Sequence, residues 1–234
     1  MPSKNEVKEY TENSFYHLYN RGVEKRIIFL DEQDYSVFLS YLKTYLLPKD
    51  EKSLLNKLAD PKVNYKEKDK IIKLLRLNNF HGTLDLLAYC LMPNHFHLLV
   101  YQKTSDTIYK FMNSLITRYV MYFNKKYKRV GPLFQGIYKA VPVETDEQLI
   151  HLSRYIHIQS LASQGRPLRD KQPSSYPNYL KLISQEWVSP EKVLAHFRSE
   201  GKKLTLLSSI DSYKSFVEGK NMGTEETIQN LMID

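Results

Sequence analysis

Two histidines near the middle of the sequence, His95 and His97, have the spacing of a ligand pair for a divalent cation. Successive side chains of a β-strand point to opposite faces, so both imidazoles would project on one face, with Phe96 on the other. Two neutral imidazoles held side by side on a rigid strand suit a divalent metal. The alternative is that one histidine is a hydrogen-bonded core residue and the other belongs to a turn. The pair alone leaves both interpretations open.

A second set of polar side chains recurs every four residues further along the chain, at His151, Tyr155 and Gln159. On a helix this spacing places an imidazole, a phenol and a carboxamide on one face. Gln159 would then supply the oxygen ligand that two histidines lack. The alternative is an amphipathic helix whose polar face meets solvent. His151 either assists deprotonation of Tyr155 or has no part in the chemistry, and we leave it out of the catalytic set.

The pattern of apolar residues predicts elements that would bring these two sets together. Two apolar runs flank Met92-Pro93-Asn94, a sequence that favours a tight turn, so the histidines should open the second strand of a β-hairpin. The predicted order is strand 15–20, helix 31–45, strand 84–91, strand 95–102, helix 107–127, strand 136–143. Between the first helix and the hairpin, residues 47–79 turn polar and lysine-rich, which indicates an insertion with two short helices. It is either a solvated excursion or, because the chain carries a net charge of +8 that attracts phosphates, a DNA-contacting arm.

This order of elements is the split βαβ pattern. It predicts an α+β fold, a ferredoxin-like antiparallel sheet with helices on one face and the first and third strands at its centre. A further helix, 146–160, capped by Thr145 or Asp146, would cover the histidine side of the sheet. We expect one domain over 14–165, followed by a C-terminal helical extension over 166–234 whose end, from Lys220, is mobile.

Charge and composition favour a nucleic-acid partner. The chain of 234 residues carries a net charge of +8 with 18 tyrosines and 10 phenylalanines, and basic charge attracts phosphates while aromatic rings stack on unpaired bases. No apolar run approaches the roughly 20 residues of a membrane span, and the first residues show no signal core. With its single cysteine, Cys90, expected in the core, these features predict a cytoplasmic protein without a membrane partner.

A basic run, Lys125-Lys126-Tyr127-Lys128-Arg129, ends the predicted helix 107–127. Cations at a helix C-terminus complement the macrodipole, which is one explanation of the run. A phosphate-binding patch is the other, and both stay open. A second basic tract lies at 166–171.

Several strings of residues carry a family resemblance: Tyr16-His17-Leu18-Tyr19-Asn20-Arg21-Gly22, Ala88-Tyr89-Cys90-Leu91-Met92-Pro93-Asn94-His95-Phe96-His97-Leu98-Leu99, Arg118-Tyr119 with Tyr122-Phe123-Asn124, Leu133-Phe134-Gln135-Gly136 with Tyr138-Lys139, and Arg154-Tyr155-Ile156-His157. In this order they resemble the single-tyrosine HUH transposases, most nearly the REP-associated tyrosine transposases, which are relatives of insertion-sequence transposases. The resemblance covers residues 14 to about 180 apart from 47–79.

The resemblance implies a ferredoxin-like domain that nicks single-stranded DNA beside a hairpin with a divalent cation, Mg²⁺ or Mn²⁺. His95 and His97 match the two histidines of the HUH motif, Tyr155 matches the nucleophilic tyrosine, and Gln159 is similar to the third metal ligand of some insertion-sequence relatives. In that chemistry the tyrosine forms a 5′-phosphotyrosyl link and leaves a free 3′-OH, while the cation polarises the phosphate. A homodimer and a monomer are both compatible with the sequence.

The chain departs from the family pattern at two places. Gln159-Ser160 stands where the REP-associated branch usually has asparagine and proline, and Ile137 stands where the family usually has arginine, which removes one expected DNA contact. From the matching strings and the basic run we predict DNA contacts at Arg21, Arg118, Lys125, Lys126, Lys128, Arg129, Tyr138 and Lys139.

Two other functions fit the same residues. In a metal-dependent nuclease that uses water, Tyr155 would only position the substrate, and a covalent protein–DNA adduct would be absent. In a non-catalytic nucleic-acid binding module, Tyr16, Tyr19 and Tyr138 would serve as stacking platforms.

Overall fold

A computed structural model describes residues 10–161, 172–197, 212–219 and 224–231. Four strands form one sheet: β1 (Ser14–Arg21), β2 (Leu84–Met92), β3 (His95–Gln102) and β4 (Lys139–Val143). The helices are α1 (Glu32–Leu46), α2 (Glu51–Ala59), α3 (Tyr65–Arg76), α4 (Thr107–Lys126), α5 (Asp146–Leu161), α6 (Tyr176–Tyr179), α7 (Glu191–Leu194), α8 (Tyr213–Glu218) and α9 (Thr224–Ile228). The basic tract 166–171 lies outside the described residues.

The sheet confirms the predicted ferredoxin-like topology. Its strand order is β2-β3-β1-β4, and each neighbouring pair is antiparallel, so the first and third strands are central. Strand β1 alternates strictly: Tyr16 and Leu18 face one side of the sheet, and His17 and Tyr19 face the other. The same alternation along β3 sends Phe96 to the first side and His97 to the second.

Each face of the sheet has its own apolar core. On the first face, α1 and α4 bury residues at three- and four-residue spacing, among them Phe38 and Leu42 of α1 and Phe111 and Leu115 of α4. Asp31 caps α1 as predicted, because its carboxylate accepts a hydrogen bond from the Asp34 amide at 3.1 Å. This face therefore holds the helices that the split βαβ pattern requires.

On the second face, α5 covers the histidine side of the sheet, as the sequence predicts. Leu149, Leu152 and Ile156 are buried against the sheet, and the Thr145 hydroxyl caps the helix by accepting from the Gln148 amide at 3.1 Å. The short helices after residue 172 join the same core rather than forming a separate one. The segment before α6 also pairs with the outer strand β2, where the Leu91 and Ser175 amides donate to the Pro173 and Tyr89 carbonyls, so that strand edge is covered.

The C-terminal end, where a mobile segment is expected from Lys220, contains secondary structure in its described part. Thr224–Ile228 form α9 against α5, and Gln229–Leu231 continue it as a 3₁₀ turn. Mobility of this end stays a prediction. Ile228 and Leu231 are buried, and this apolar pair at three-residue spacing is the local signal for a packed turn. The segment is therefore part of the second core.

Strand β4 is shorter than predicted. The expected range was 136–143, whereas the strand begins at Lys139, because Gly136 takes a positive φ of 78° and its amide donates to the Phe134 carbonyl in a turn. The two helices predicted within 47–79 are present as α2 and α3, which contact each other. Among the described residues, no helix has the length and apolar character needed to cross a membrane.

Candidate active site

His95 and His97 occupy the start of β3, next to the hairpin turn. His95 pairs with Met92 across the turn and with Arg21 on β1, while His97 pairs with Cys90 and Tyr19. The two imidazole rings lie perpendicular, at 89°, with centroids 5.0 Å apart. The predicted shared face is thus present, and it brings the rings close enough to act on one ligand.

The hairpin turn is tied to the segment that follows β1. The Pro93 carbonyl accepts from the Ile28 and Phe29 amides, and the Asn94 carbonyl accepts from the Gly22 amide at 2.8 Å. Backbone hydrogen bonds on both sides of the turn hold the histidine end of β3 in place. The site is therefore built on a fixed scaffold.

Hydrogen bonds define which nitrogens of the two rings carry protons. The side-chain nitrogen of Asn94 donates to the Lys25 carbonyl, so the side-chain oxygen of Asn94 faces His95. That oxygen accepts a hydrogen bond from His95 Nδ1 at 2.6 Å. His97 Nδ1 lies 2.9 Å from His17 Nε2. His97 Nε2 is buried and has no hydrogen-bond partner among the described residues. A buried nitrogen in this situation is the feature that a bound cation would satisfy.

Burial keeps both rings neutral. Desolvation, with a smaller contribution from the positive charge of Arg21, lowers the pKa of His95 to about 4. The pKa of His97 is held well below its usual value by burial, with smaller effects from His17 and His95. Neutral imidazoles with an available lone pair are the form that binds metals, so the two side chains fit a divalent cation.

Tyr155 lies on α5 above this pair. Its ring stands edge-on to His97, at 86° with centroids 5.4 Å apart, and the residue is half-buried. The helix is fixed on both sides of Tyr155: Arg154 donates to the Phe216 and Gly219 carbonyls at 2.7 and 2.5 Å, and His157 bonds Tyr213 and Ser175. Arg154 and His157, which belong to the same family-like string of residues as Tyr155, thus anchor the helix that carries it.

The other two members of the predicted helix face have different surroundings. His151 is buried and packs edge-on against Phe216 of α8, with centroids 5.4 Å apart, and desolvation lowers its pKa. Gln159 is half-buried one turn beyond Tyr155. Within the described part of the chain, no three His, Cys, Asp or Glu side chains form a metal-binding group, so a third protein ligand would have to be of another type. Gln159 as that ligand stays a prediction.

The predicted DNA contacts fall into two groups. Arg21 lies beside His95 and donates to the Gln135 side chain at 3.3 Å, while Lys125, Lys128 and Lys139 are exposed. These residues have cationic groups that phosphate oxygens could approach.

The remaining four predicted contacts are engaged in the fold. Arg118 stacks its guanidinium on the Tyr41 ring at 3.8 Å from the centroid, and Lys126 forms ion pairs with two aspartates. Arg129 donates to the Asn124 side chain at 3.0 Å. Tyr138 is 5% exposed and accepts from the Tyr10 hydroxyl, so its ring has no face open for a base to stack on, and Tyr16 is buried as well.

The structure adds one residue that the sequence interpretation missed. His17 of β1 is fully buried on the same face as His97 and joins it to the C-terminal turn, because its Nδ1 lies 2.6 Å from the Leu231 carbonyl. Burial lowers the pKa of His17 to about 4. The alternation of His17 and Tyr19 along β1 is a signal for their shared face, but nothing local in the sequence indicates the contact with Leu231.

Taken together, the fold and the site define a class: a ferredoxin-like domain with a histidine pair on a central strand and a tyrosine on the helix above it. The chain belongs to the IS200-like transposase family, whose model matches residues 36–159. This confirms the family recognised from the sequence strings and makes the protein a transposase-like DNA-processing protein.

A solved structure of a REP-associated tyrosine transposase bound to a REP hairpin is similar in fold, with 11% sequence identity and a TM-score of 0.45 over 79% of this chain and 91% of that chain. No curated protein matches the chain at a significant level.

Proposed function

We propose that this protein is a metal-dependent enzyme that cleaves and rejoins single-stranded DNA through a covalent link to Tyr155. The observation that carries the proposal is the contact between the Tyr155 and His97 rings, 5.4 Å apart between centroids. It supports a site in which one phosphate could lie within reach of both the phenol and the histidine pair. Membership of the IS200-like family gives this arrangement its chemical context.

In the proposed reaction the phenol oxygen of Tyr155 attacks the scissile phosphorus. The bond between phosphorus and the 3′ oxygen breaks, the phenol gives up its proton and the 3′ oxygen gains one. The products are a 5′-phosphotyrosyl link and a free 3′-OH. Because the link keeps the energy of the phosphodiester, a second 3′-OH can reverse the step and join two strands. A helix anchored by Arg154 and His157 favours this chemistry, since it limits the positions of the attacking oxygen.

His95 and His97 would hold the divalent cation, with Gln159 proposed as the oxygen ligand. The lone pair at His97 Nε2, buried and without a hydrogen-bond partner among the described residues, supports this assignment. When bound, Mg²⁺ or Mn²⁺ would stabilise the charge that develops on the phosphate and on the leaving oxygen. Mixed nitrogen and oxygen ligation suits Mn²⁺ better than Mg²⁺.

The substrate we propose is single-stranded DNA beside a hairpin, as the family resemblance implies. Exposed Lys125, Lys128 and Lys139, together with the net charge of +8, support binding to a polyanion. Arg21, paired with His95 across β1 and β3, is the proposed contact nearest to the cleaved phosphate.

The test is the substitution Tyr155→Phe, which removes one oxygen and keeps the ring contact with His97. Wild-type protein with Mn²⁺ and single-stranded hairpin DNA from the flanks of its own gene should form an adduct that survives denaturation, at the 5′ side of the nick. The Phe variant should bind the same DNA and form no adduct. Tyr101→Phe is the matched control: this residue lies four positions beyond His97 on the same strand, and its hydroxyl donates to Asn13. Its adduct yield should equal that of wild type.

Metal removal completes the test. EDTA should abolish the adduct, and Mn²⁺ added in excess should restore it. If Tyr155→Phe nicks DNA at a rate comparable to wild type, the nucleophile is water and the tyrosine mechanism is wrong. If EDTA leaves full activity, the assignment of His95 and His97 as metal ligands is wrong.

A further inference from the structure

His17 and His97 are joined edge to edge rather than stacked. Their planes differ by only 16° and their centroids are 5.1 Å apart, while His17 Nε2 and His97 Nδ1 are 2.9 Å apart. Because the two nitrogens are so much closer than the ring centres, each nitrogen lies near the plane of the other ring, as a hydrogen bond between imidazoles requires. One of these two nitrogens must therefore carry the shared proton.

The C-terminal turn decides which one it is. A carbonyl oxygen only accepts hydrogen bonds, so the 2.6 Å contact between His17 Nδ1 and the Leu231 carbonyl requires a proton on Nδ1. In a neutral imidazole the other nitrogen then has a lone pair, so His17 Nε2 must accept. His97 Nδ1 is consequently the donor, and the lone pair of His97 lies on Nε2.

That lone pair lies on the atom that has no protein partner among the described residues. We propose that His17 is a positioning residue that fixes the tautomer and ring orientation of His97 and so presents Nε2 to the divalent cation. The chain of bonds runs from the Leu231 carbonyl through His17 to His97, and it makes the C-terminal turn part of the site. This inference rests on the proposed role of His97 as a metal ligand.

Burial makes the arrangement strong. His17 and His97 are both fully buried, so no solvent competes for their nitrogens. A ring nitrogen that is bonded to a fixed partner also fixes the rotation of the ring about its side chain. Partners of this kind typically change metal affinity by roughly 10- to 100-fold when they are removed.

Two substitutions at His17 separate this role from simple packing. His17→Phe keeps a ring of similar size but cannot accept from His97 Nδ1, so both tautomers of His97 become available. His17→Gln places an amide oxygen where Nε2 was, so it can still accept that proton although the ring is lost. If His17 only fills space, His17→Phe should weaken Mn²⁺ binding less than His17→Gln does. If His17 positions His97, His17→Gln should weaken it less.

The experiment uses the full chain and Mn²⁺ alone. We expect titration calorimetry to give a 10- to 100-fold weaker affinity for Mn²⁺ in His17→Phe and an affinity within about threefold of wild type in His17→Gln. Before Mn²⁺ is added, nitrogen-15 spectra of the histidine rings should show Nδ1 of His97 protonated in wild type and in His17→Gln, and a mixture of tautomers in His17→Phe. Signals lost in His97→Gln identify the ring.

The spectra also separate this inference from the proposed function. A wild-type spectrum with the proton on Nε2 of His97 overturns the positioning role even if Tyr155 proves to be the nucleophile. A failure of Tyr155 to form an adduct leaves the tautomer and the Mn²⁺ affinity as expected and refutes only the mechanism. Equal Mn²⁺ affinity in wild type and a folded His17→Phe variant, or no Mn²⁺ binding by wild type, also overturns the inference.

Discussion

The same substitution at two neighbouring lysines at the end of α4 should affect two different properties of the protein, its stability and its DNA binding. Lys126 forms ion pairs with Asp31 at 2.7 Å and with Asp34 at 2.8 Å, and its side chain is 20% exposed. Lys125 is exposed. We expect Lys126→Met to destabilise the fold and Lys125→Met to weaken DNA binding without changing stability.

The magnitude follows from the burial of Asp34, whose side chain is fully inaccessible to solvent. Removing one partner of a buried ion pair typically costs roughly 3–5 kcal/mol, because it leaves a buried charge uncompensated. Asp34 would keep neutral donors, since the hydroxyls of Tyr122 and Tyr127 and the Leu30 amide all donate to its carboxylate. We therefore expect a loss near the lower limit, about 3 kcal/mol in the free energy of unfolding.

Chemical denaturation monitored by circular dichroism measures the loss of stability in Lys126→Met. The salt dependence of hairpin binding measures the weaker DNA binding of Lys125→Met. Each phosphate contact on single-stranded DNA changes the slope of log affinity against log salt by about 0.7, so Lys125→Met should flatten the slope by that amount. Should Lys126→Met unfold with wild-type stability, the ion pair with Asp34 is not part of the native core. An unchanged salt slope in Lys125→Met would mean that Lys125 does not contact a phosphate and is only a solvated residue at the end of the helix.

Two further predictions test the scaffold around the histidine strand. Gly22→Ala should cost about 1–3 kcal/mol of stability, measured by denaturation, because a Cβ at Gly22 would overlap the backbone oxygen of Arg26; wild-type stability would refute this packing. Cys90 should react with a thiol reagent only when denaturant is present, since it is fully buried and burial raises its pKa; rapid labelling of the native protein would contradict its placement in the second core.

The parts of the site that the sequence predicts are those set by local periodicity. The period of two along β3 places His95 and His97 on one face, and the apolar stripe of α5 turns Tyr155 toward that face. The preference for right-handed crossovers predicts β1 and β3 at the centre of the sheet, where the strand order places them. None of these steps requires knowledge of a distant contact.

Contacts between distant residues set the limit of the prediction. The basic run at the end of α4 is a uniform block of charge in the sequence, yet Lys126 pairs with aspartates more than ninety residues earlier while Lys125 remains exposed. The rotation of a helix about its own axis, relative to its neighbours, decides which lysine pairs with the aspartates. The composition and spacing of residues along one helix do not determine that rotation.

The region that matches the family model, 36–159, contains the histidine pair, Tyr155 and Gln159, but it does not contain all that orients them. It lacks β1, which lies between β3 and β4, so β4 would lose its partner strand and His97 would lose the bond to His17. It also lacks Leu231, whose carbonyl fixes the protonation of His17. The proposed catalytic and metal-binding groups thus lie in the matched segment, whereas the hydrogen bonds that hold the ring of His97 come from a strand before that segment and a turn after it.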